Sequence, residues 1–169
     1  IQAMIGLILH RNDDNSVLSI IKSLREKSFK NDELGMYWNE GNRAFWNDHE
    51  IQVVNPESWH SEHWISIPSN TQRRYQNHFP AKCRSLGAII SDLCYVARGS
   101  SVGSLIGRCH LWDIAAALAI LEAAGGDYIG LSGQKPRLQD LYSGAVLPEP
   151  LIAAHADQLE KLRSSIQPL

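Results

Sequence analysis

The hydrophobic period of this chain changes once, near Pro56, and that change limits the fold more than any other feature. Ahead of it, short apolar runs at residues 4–9, 17–21, 34–38, 43–46 and 51–54 are separated by polar residues. Runs of this length bounded by turn formers read as strands. Asn12-Asp13-Asp14-Asn15 and Asn47-Asp48 supply the residue types that tolerate the positive φ of a tight hairpin. Residues 1–55 are therefore expected to form an antiparallel meander. Tyr37, Trp38, Phe45 and Trp46 suit a pleated surface covered on one side by helices.

Beyond Pro56 the pattern alternates between strand and helix. Residues 64–67 read as a strand and the polar stretch 70–78 as a helix that Ser69 would cap. Leu86, Ile89, Ile90, Leu93 and Ala97 fall at helical spacing before Gly99. Residues 101–106 read as a strand, 113–124 as a helix closed by Gly125-Gly126, and 128–131 and 145–147 as strands. Pro150 stands where a helix tolerates proline, and Leu151, His155, Leu159, Leu162 and Ile166 mark a last amphipathic helix. The fold class is thus mixed α/β: part of an antiparallel sheet (1–55) followed by an alternating α/β half (56–169), packed as one compact unit with a partly parallel sheet.

With 44% apolar and 20% charged residues, the chain has enough hydrophobic content for a packed core. A net charge of −2 offers no basic footprint for nucleic acid or anionic lipid. No apolar run reaches the roughly 18 to 20 residues of a membrane-spanning helix. Cys83, Cys94 and Cys109 are too few and too widely spaced for a disulfide framework or a C-x-x-C pair, which fits a reducing cytoplasm. His60 and His63 flank Glu62, but H-S-E-H is one residue short of the zinc-binding helix motif, and the segment leads into a strand that would turn the two rings to opposite faces. Arg73-Arg74 reads as a solvated face of a polar helix, with phosphate contact as the minor alternative. Cys109 and His110 read as a buried thiol and a loop histidine.

The segment with most chemical content is Trp112-Asp113-Ile114-Ala115-Ala116, followed by Glu122-Ala123-Ala124-Gly125-Gly126. Read from its residues, Asp113 opens a helix and accepts its orphan amides as an N-cap. An anion near that terminus would meet the same favourable dipole. The segment resembles the W-D-x-A-A…E-A-G-G signature of the magnesium-dependent, lithium-sensitive phosphatases of the inositol monophosphatase family, with one extra alanine. Arg84-Ser85-Leu86-Gly87-Ala88, leading to Ala97-Arg98-Gly99, is similar to that family's R-S-x-G helix. Glu33-Leu34 with Gly41 through Ile51 resembles its E-L and G-x-G-A-F hairpin, although Arg43 and Asp48 stand where glycines are usual.

The resemblance implies a metal-dependent phosphomonoesterase acting on a small phosphorylated polyol, sugar or nucleotide. It implies Mg2+ as cofactor, Asp113 as a metal ligand, and substrate contacts from the Gly87 and Ala88 backbone. Ser69, by its position after the strand at 64–67, is a further candidate substrate contact, with the N-cap role as its alternative. It names no catalytic base in this chain. The family's substrate carboxylate, seven residues before the W-D aspartate, falls on Ile106, which argues against inositol as substrate. The family's G-E-E and D-P-x-D-G-T elements do not occur in the sequence, and one aspartate is a poor match for an ion that wants six oxygens. The chain is accordingly expected to correspond to a C-terminal portion of such an enzyme and to be inactive alone. The alternative is a non-catalytic binding or scaffold module that retains the fold. An exposed sheet edge allows a homodimer on either reading.

Overall fold

The computed structural model describes residues 4–10, 17–23 and 35–169. Five strands open the chain: β1 (Met4–His10), β2 (Val17–Ser23), β3 (Met36–Glu40), β4 (Arg43–Trp46) and β5 (His49–Ile51). They pair in chain order, each antiparallel to the next, as the meander reading requires. Gly41 (φ 57°) turns β3 into β4, and Asn47 (φ 53°) turns β4 into β5. Asn47 Oδ1 also accepts the Met36 amide at 3.0 Å, fastening the turn to the start of β3. The turn cluster at 12–15 and the Glu33-Leu34 pair lie outside the described residues.

A second, mixed sheet follows. It contains β6 (Trp64–Ser66), β8 (Lys82–Arg84), β9 (Gly103–Ile106), β10 (Gly126–Gly130) and β11 (Leu151–His155), in the order β10-β11-β9-β6-β8. β6 runs parallel to β8 and β9, whereas β11 is antiparallel to β9 and β10. Between the two sheets lie α1 (Ile89–Ala97) and α2 (Ala115–Ala123), with α2 facing the meander and α1 facing β9 and β11. The alanines of α2 permit this approach: Ala116 and Ala117 are buried together with Leu118, Ile120 and Leu121. On the far side of the mixed sheet lies α3 (Ala156–Ser164).

The strand period sorts residues between two cores. On β9 and β11, Ile106, Leu151 and Ala153 face the α1–α2 layer, while Leu105, Ile152 and Ala154 face α3. This explains why the sequence pattern misplaces the last helix. Residues 151–154 are buried on both faces, so they show no alternation and merge with the helix that follows. The helix begins at Ala156, where the His155 ring Nδ1 accepts the Asp157 amide at 3.2 Å.

Two other elements also differ from expectation. Residues 70–78 form a single 3-10 turn (Thr71–Arg73) and then β7 (Tyr75–Asn77), which pairs with β12 (Ile166–Pro168). With no apolar face, that segment gains nothing as a helix, whereas pairing with the chain's end satisfies its backbone. Residues 145–147 contribute only one bridge, His110 to Val146. No helix among the described residues is long and apolar enough to cross a membrane.

Candidate active-site pocket

β6, β8 and β9 end side by side, and the chain leaves each through a short loop. Residues 67–71, 85–88 and 107–108 are those loops, and together they line a pocket of about 670 Å³. Ligands of α/β sheets gather at the carboxyl ends of parallel strands, because the loops there converge and helices begin there. α1 begins at this pocket. Its cap residue Ala88 offers no side chain to the first amides, and Gly87, at φ 78°, has open space where a side chain would stand. The backbone approaches the pocket without obstruction on this wall.

Ser69, Gly87 and Ala88, the three candidate substrate contacts, all line this pocket. Ser69 does not cap the following turn: that position is Asn70, and no side chain bonds across it. Arg74, read from sequence as part of a solvated face, lines the pocket, as does Arg108. Arg108 Nε donates to the Leu147 carbonyl at 3.0 Å, which fixes its guanidinium at the rim. Two cations, four hydroxyl-bearing residues (Ser69, Thr71, Tyr75 and Ser85) and a helix start without a side-chain cap suit a small anionic, hydroxylated ligand.

Asp113 is not among the pocket-lining residues. It ends a 3-10 turn (Leu111–Asp113), and Ile114, not Asp113, is the cap residue of α2. Its Oδ2 accepts the backbone N–H of His110 at 3.1 Å. The His110 ring lies 4.3 Å from the Trp112 ring, nearly parallel at 12°, and Trp112 is 65% exposed. Ile106 is buried in the α1–α2 core.

Asp92 is a pocket residue that the sequence reading does not single out. It stands in the first turn of α1, lines the pocket and is only 9% exposed. Burial pushes its carboxyl up to about 7, partly offset by a hydrogen bond from Ser66. Ser66 and Ser104 are direct partners across the parallel β6–β9 pair, with their hydroxyl oxygens 2.8 Å apart. A hydroxyl has one hydrogen, so Ser104 donating to Ser66 and Ser66 to Asp92 satisfies the chain. Oδ1 of Asp92 has no partner. The available signal was the one charged residue inside the mainly apolar stretch 89–97.

Other reactive groups are poorly placed for chemistry. Burial, with the nearby Asp113 carboxylate, pushes the Cys109 thiol up to about 12, and burial raises Cys94 further. His60 and His63 do not point to opposite faces, because residues 60–63 form a turn ahead of β6. Their rings lie 3.8 Å apart, and the His60 amide donates to His63 Nδ1 at 3.1 Å. Among the described residues no three His, Cys, Asp or Glu side chains come together to hold a metal ion. The donor set present does not by itself fit a hard octahedral cation.

Residues 5–167 match the inositol monophosphatase family. Over 110 residues the chain is 31% identical to inositol monophosphatase 2 of Saccharomyces cerevisiae, covering 54% of this chain and 38% of that protein. Over 120 residues it is 34% identical to a fructose-1,6-bisphosphatase/inositol-1-monophosphatase of Aquifex aeolicus, covering 64% and 45%. The chain therefore spans less than half the length of these curated relatives. In structure it is similar to an IMPase of Thermotoga maritima, with a TM-score of 0.65, 18% identity, and coverage of 89% of this chain and 59% of that one.

Proposed function

The chain belongs to the inositol monophosphatase family, and on that footing we propose that it is the pocket-bearing α/β part of a metal-dependent phosphomonoesterase acting on a small phosphorylated polyol, sugar or nucleotide. One observation carries this reading. The loops leaving β6, β8 and β9 bring Ser69, Gly87, Ala88 and two arginines around one pocket at the uncapped start of α1. In the proposed complex the arginines and amides hold the anionic ligand, and Ser69 orients it.

The family generally uses Mg2+. We assign one metal-ligating oxygen to Asp113, whose Oδ1 makes no hydrogen bond among the described residues. The further carboxylates that such an ion needs correspond to the G-E-E and D-P-x-D-G-T elements, which this sequence does not contain. Catalytic competence is proposed to depend on them. A non-catalytic module is the second reading, favoured by the lack of a three-ligand cluster among the described residues.

Magnesium titration with inorganic phosphate release as the readout separates the two. Residues 1–169 alone are expected to release no phosphate from glycerol 2-phosphate. A polypeptide that carries both acidic elements ahead of residue 1 is expected to release it in a magnesium-dependent manner, and Asp113→Asn should abolish that release. Unchanged turnover in Asp113→Asn removes Asp113 from the site, and an inert longer polypeptide leaves the module reading.

A further inference from the structure

Asp92 is the sole carboxylate among the described residues that line the pocket. Its Oδ1 is buried without a donor, while the Ser66 hydroxyl serves the carboxylate from the sheet side. A buried acceptor left unpaired is costly, and such groups persist where something outside the bare chain completes the bond. Asp92 itself lines the pocket, so a bound ligand is the nearest candidate to complete that bond.

The same corner of the pocket also offers donors. α1 starts without a side-chain cap, and Ala88 and Ile89 line the pocket. The first amides of a helix have no intrahelical acceptor. A carboxylate oxygen and free amides thus stand together. A phosphate oxygen can only accept and an ammonium can only donate, but a hydroxyl does both and satisfies the pair at once.

We propose that Asp92 is a specificity-determining residue: its unpartnered oxygen accepts the hydrogen of a ligand hydroxyl whose own oxygen takes an amide at the start of α1, so that the pocket selects the polyol or sugar part of a phosphorylated ligand. This rests on the reading that the pocket holds a phosphate ester, with Arg74 and Arg108 at the anionic end. The Ser104–Ser66 hydroxyl pair acts behind Asp92, holding its other oxygen so that the side chain keeps one orientation.

The test compares two ligands of equal charge and the same branched skeleton. Glycerol 2-phosphate carries two hydroxyls that isopropyl phosphate lacks. In calorimetric titrations of the full chain at pH 8, where the Asp92 carboxyl is mostly ionised, glycerol 2-phosphate is expected to bind about tenfold tighter, the scale of one hydrogen bond to a charged group. Asp92→Ala should bring the ratio near one and leave isopropyl phosphate binding unchanged. Asp92→Asn, which keeps an acceptor oxygen, should recover part of the preference. If Asp92→Ala does not fold, Asp92→Leu removes the oxygens while preserving volume and is expected to give the same ratio. A purely structural role would weaken both ligands together. A wild-type ratio near one, or a preference that survives loss of the carboxylate, overturns the proposal while the pocket remains a phosphate-ester site. If neither ester binds, that reading of the pocket fails as well, and the proposal with it.

Discussion

Asp113 Oδ2 accepts the backbone N–H of His110 at 3.1 Å, which closes the 3-10 turn just ahead of α2. The turn holds the carboxylate by one oxygen and stacks Trp112 on His110 beside it. Asp113→Ala loses this side chain-to-backbone hydrogen bond and should cost about 1 kcal/mol. Asp113→Asn keeps an oxygen for the same amide and should cost much less. Urea unfolding of the two variants checks this, and equal losses would show that the His110 bond contributes nothing.

The pH dependence of stability should carry the signature of Asp92. Its carboxyl has a value of about 7 when folded, against an ordinary 3.8, because burial penalises the charged form. The folded state therefore holds the proton more tightly than the unfolded state between those values, and this group's contribution to stability falls as pH rises from about 4 to 7. Above the folded value the full penalty, on the order of 4 kcal/mol by linkage, is in place. Asp92→Asn removes the titration. It should be more stable than wild type at pH 8 and lose that advantage towards pH 4. Unfolding curves of both proteins at pH 5 and 8 test this, and parallel behaviour of the two would count against a buried, titrating carboxyl.

Thiol accessibility separates the three cysteines. Cys94 and Cys109 are buried, with their thiols raised well above the ordinary range, whereas Cys83 is exposed and accepts a hydrogen bond from Asn77 at 2.8 Å. Iodoacetamide at pH 8 should modify one thiol per native chain, at Cys83, and all three after denaturation. Peptide mapping provides the readout. Modification of Cys109 in the native chain would mean that the turn before α2 opens readily.

The parts legible in sequence are those where one signal acts alone. The meander β3-β4-β5 shows because turn formers punctuate short apolar runs, and α1 and α2 show because Gly99 and Gly125, both at positive φ, follow apolar helices. β11 reads as helix because burial on both faces erases strand alternation, and β7 reads as helix because its partner β12 lies about ninety residues away. The Gly87-Ala88 wall is found through a motif. Asp92 is not, since a single acid in an apolar helix has an ordinary explanation as a solvated residue, and Arg74 enters only as the minor alternative, since an exposed arginine pair usually marks a solvated face. Only the convergence of three strand ends reveals them as neighbours. That Asp113 lies outside the pocket wall follows from a local 3-10 turn that no periodicity announces.

Gly103 of β9 lies directly against Leu162 of α3. A side-chain carbon there would stand 2.5 Å from Leu162 Cδ1 and 3.1 Å from the Ala153 carbonyl of the neighbouring strand. Leu162 is 1% exposed and packs with Leu105 and Ile152. It can yield only by leaving its rotamer or lifting α3. Gly103→Ala should therefore cost about 1 to 3 kcal/mol, an overpacking penalty. Leu162→Ala alone should cost about 2 to 5 kcal/mol through the cavity it opens. Because the methyl added at 103 occupies part of the space vacated at 162, the double variant should be more stable than the sum of the two losses. Chemical denaturation of the four proteins in this cycle gives the coupling. Strict additivity would place the strain of Gly103→Ala on the Ala153 carbonyl and the β9–β11 pairing, leaving α3 undisturbed.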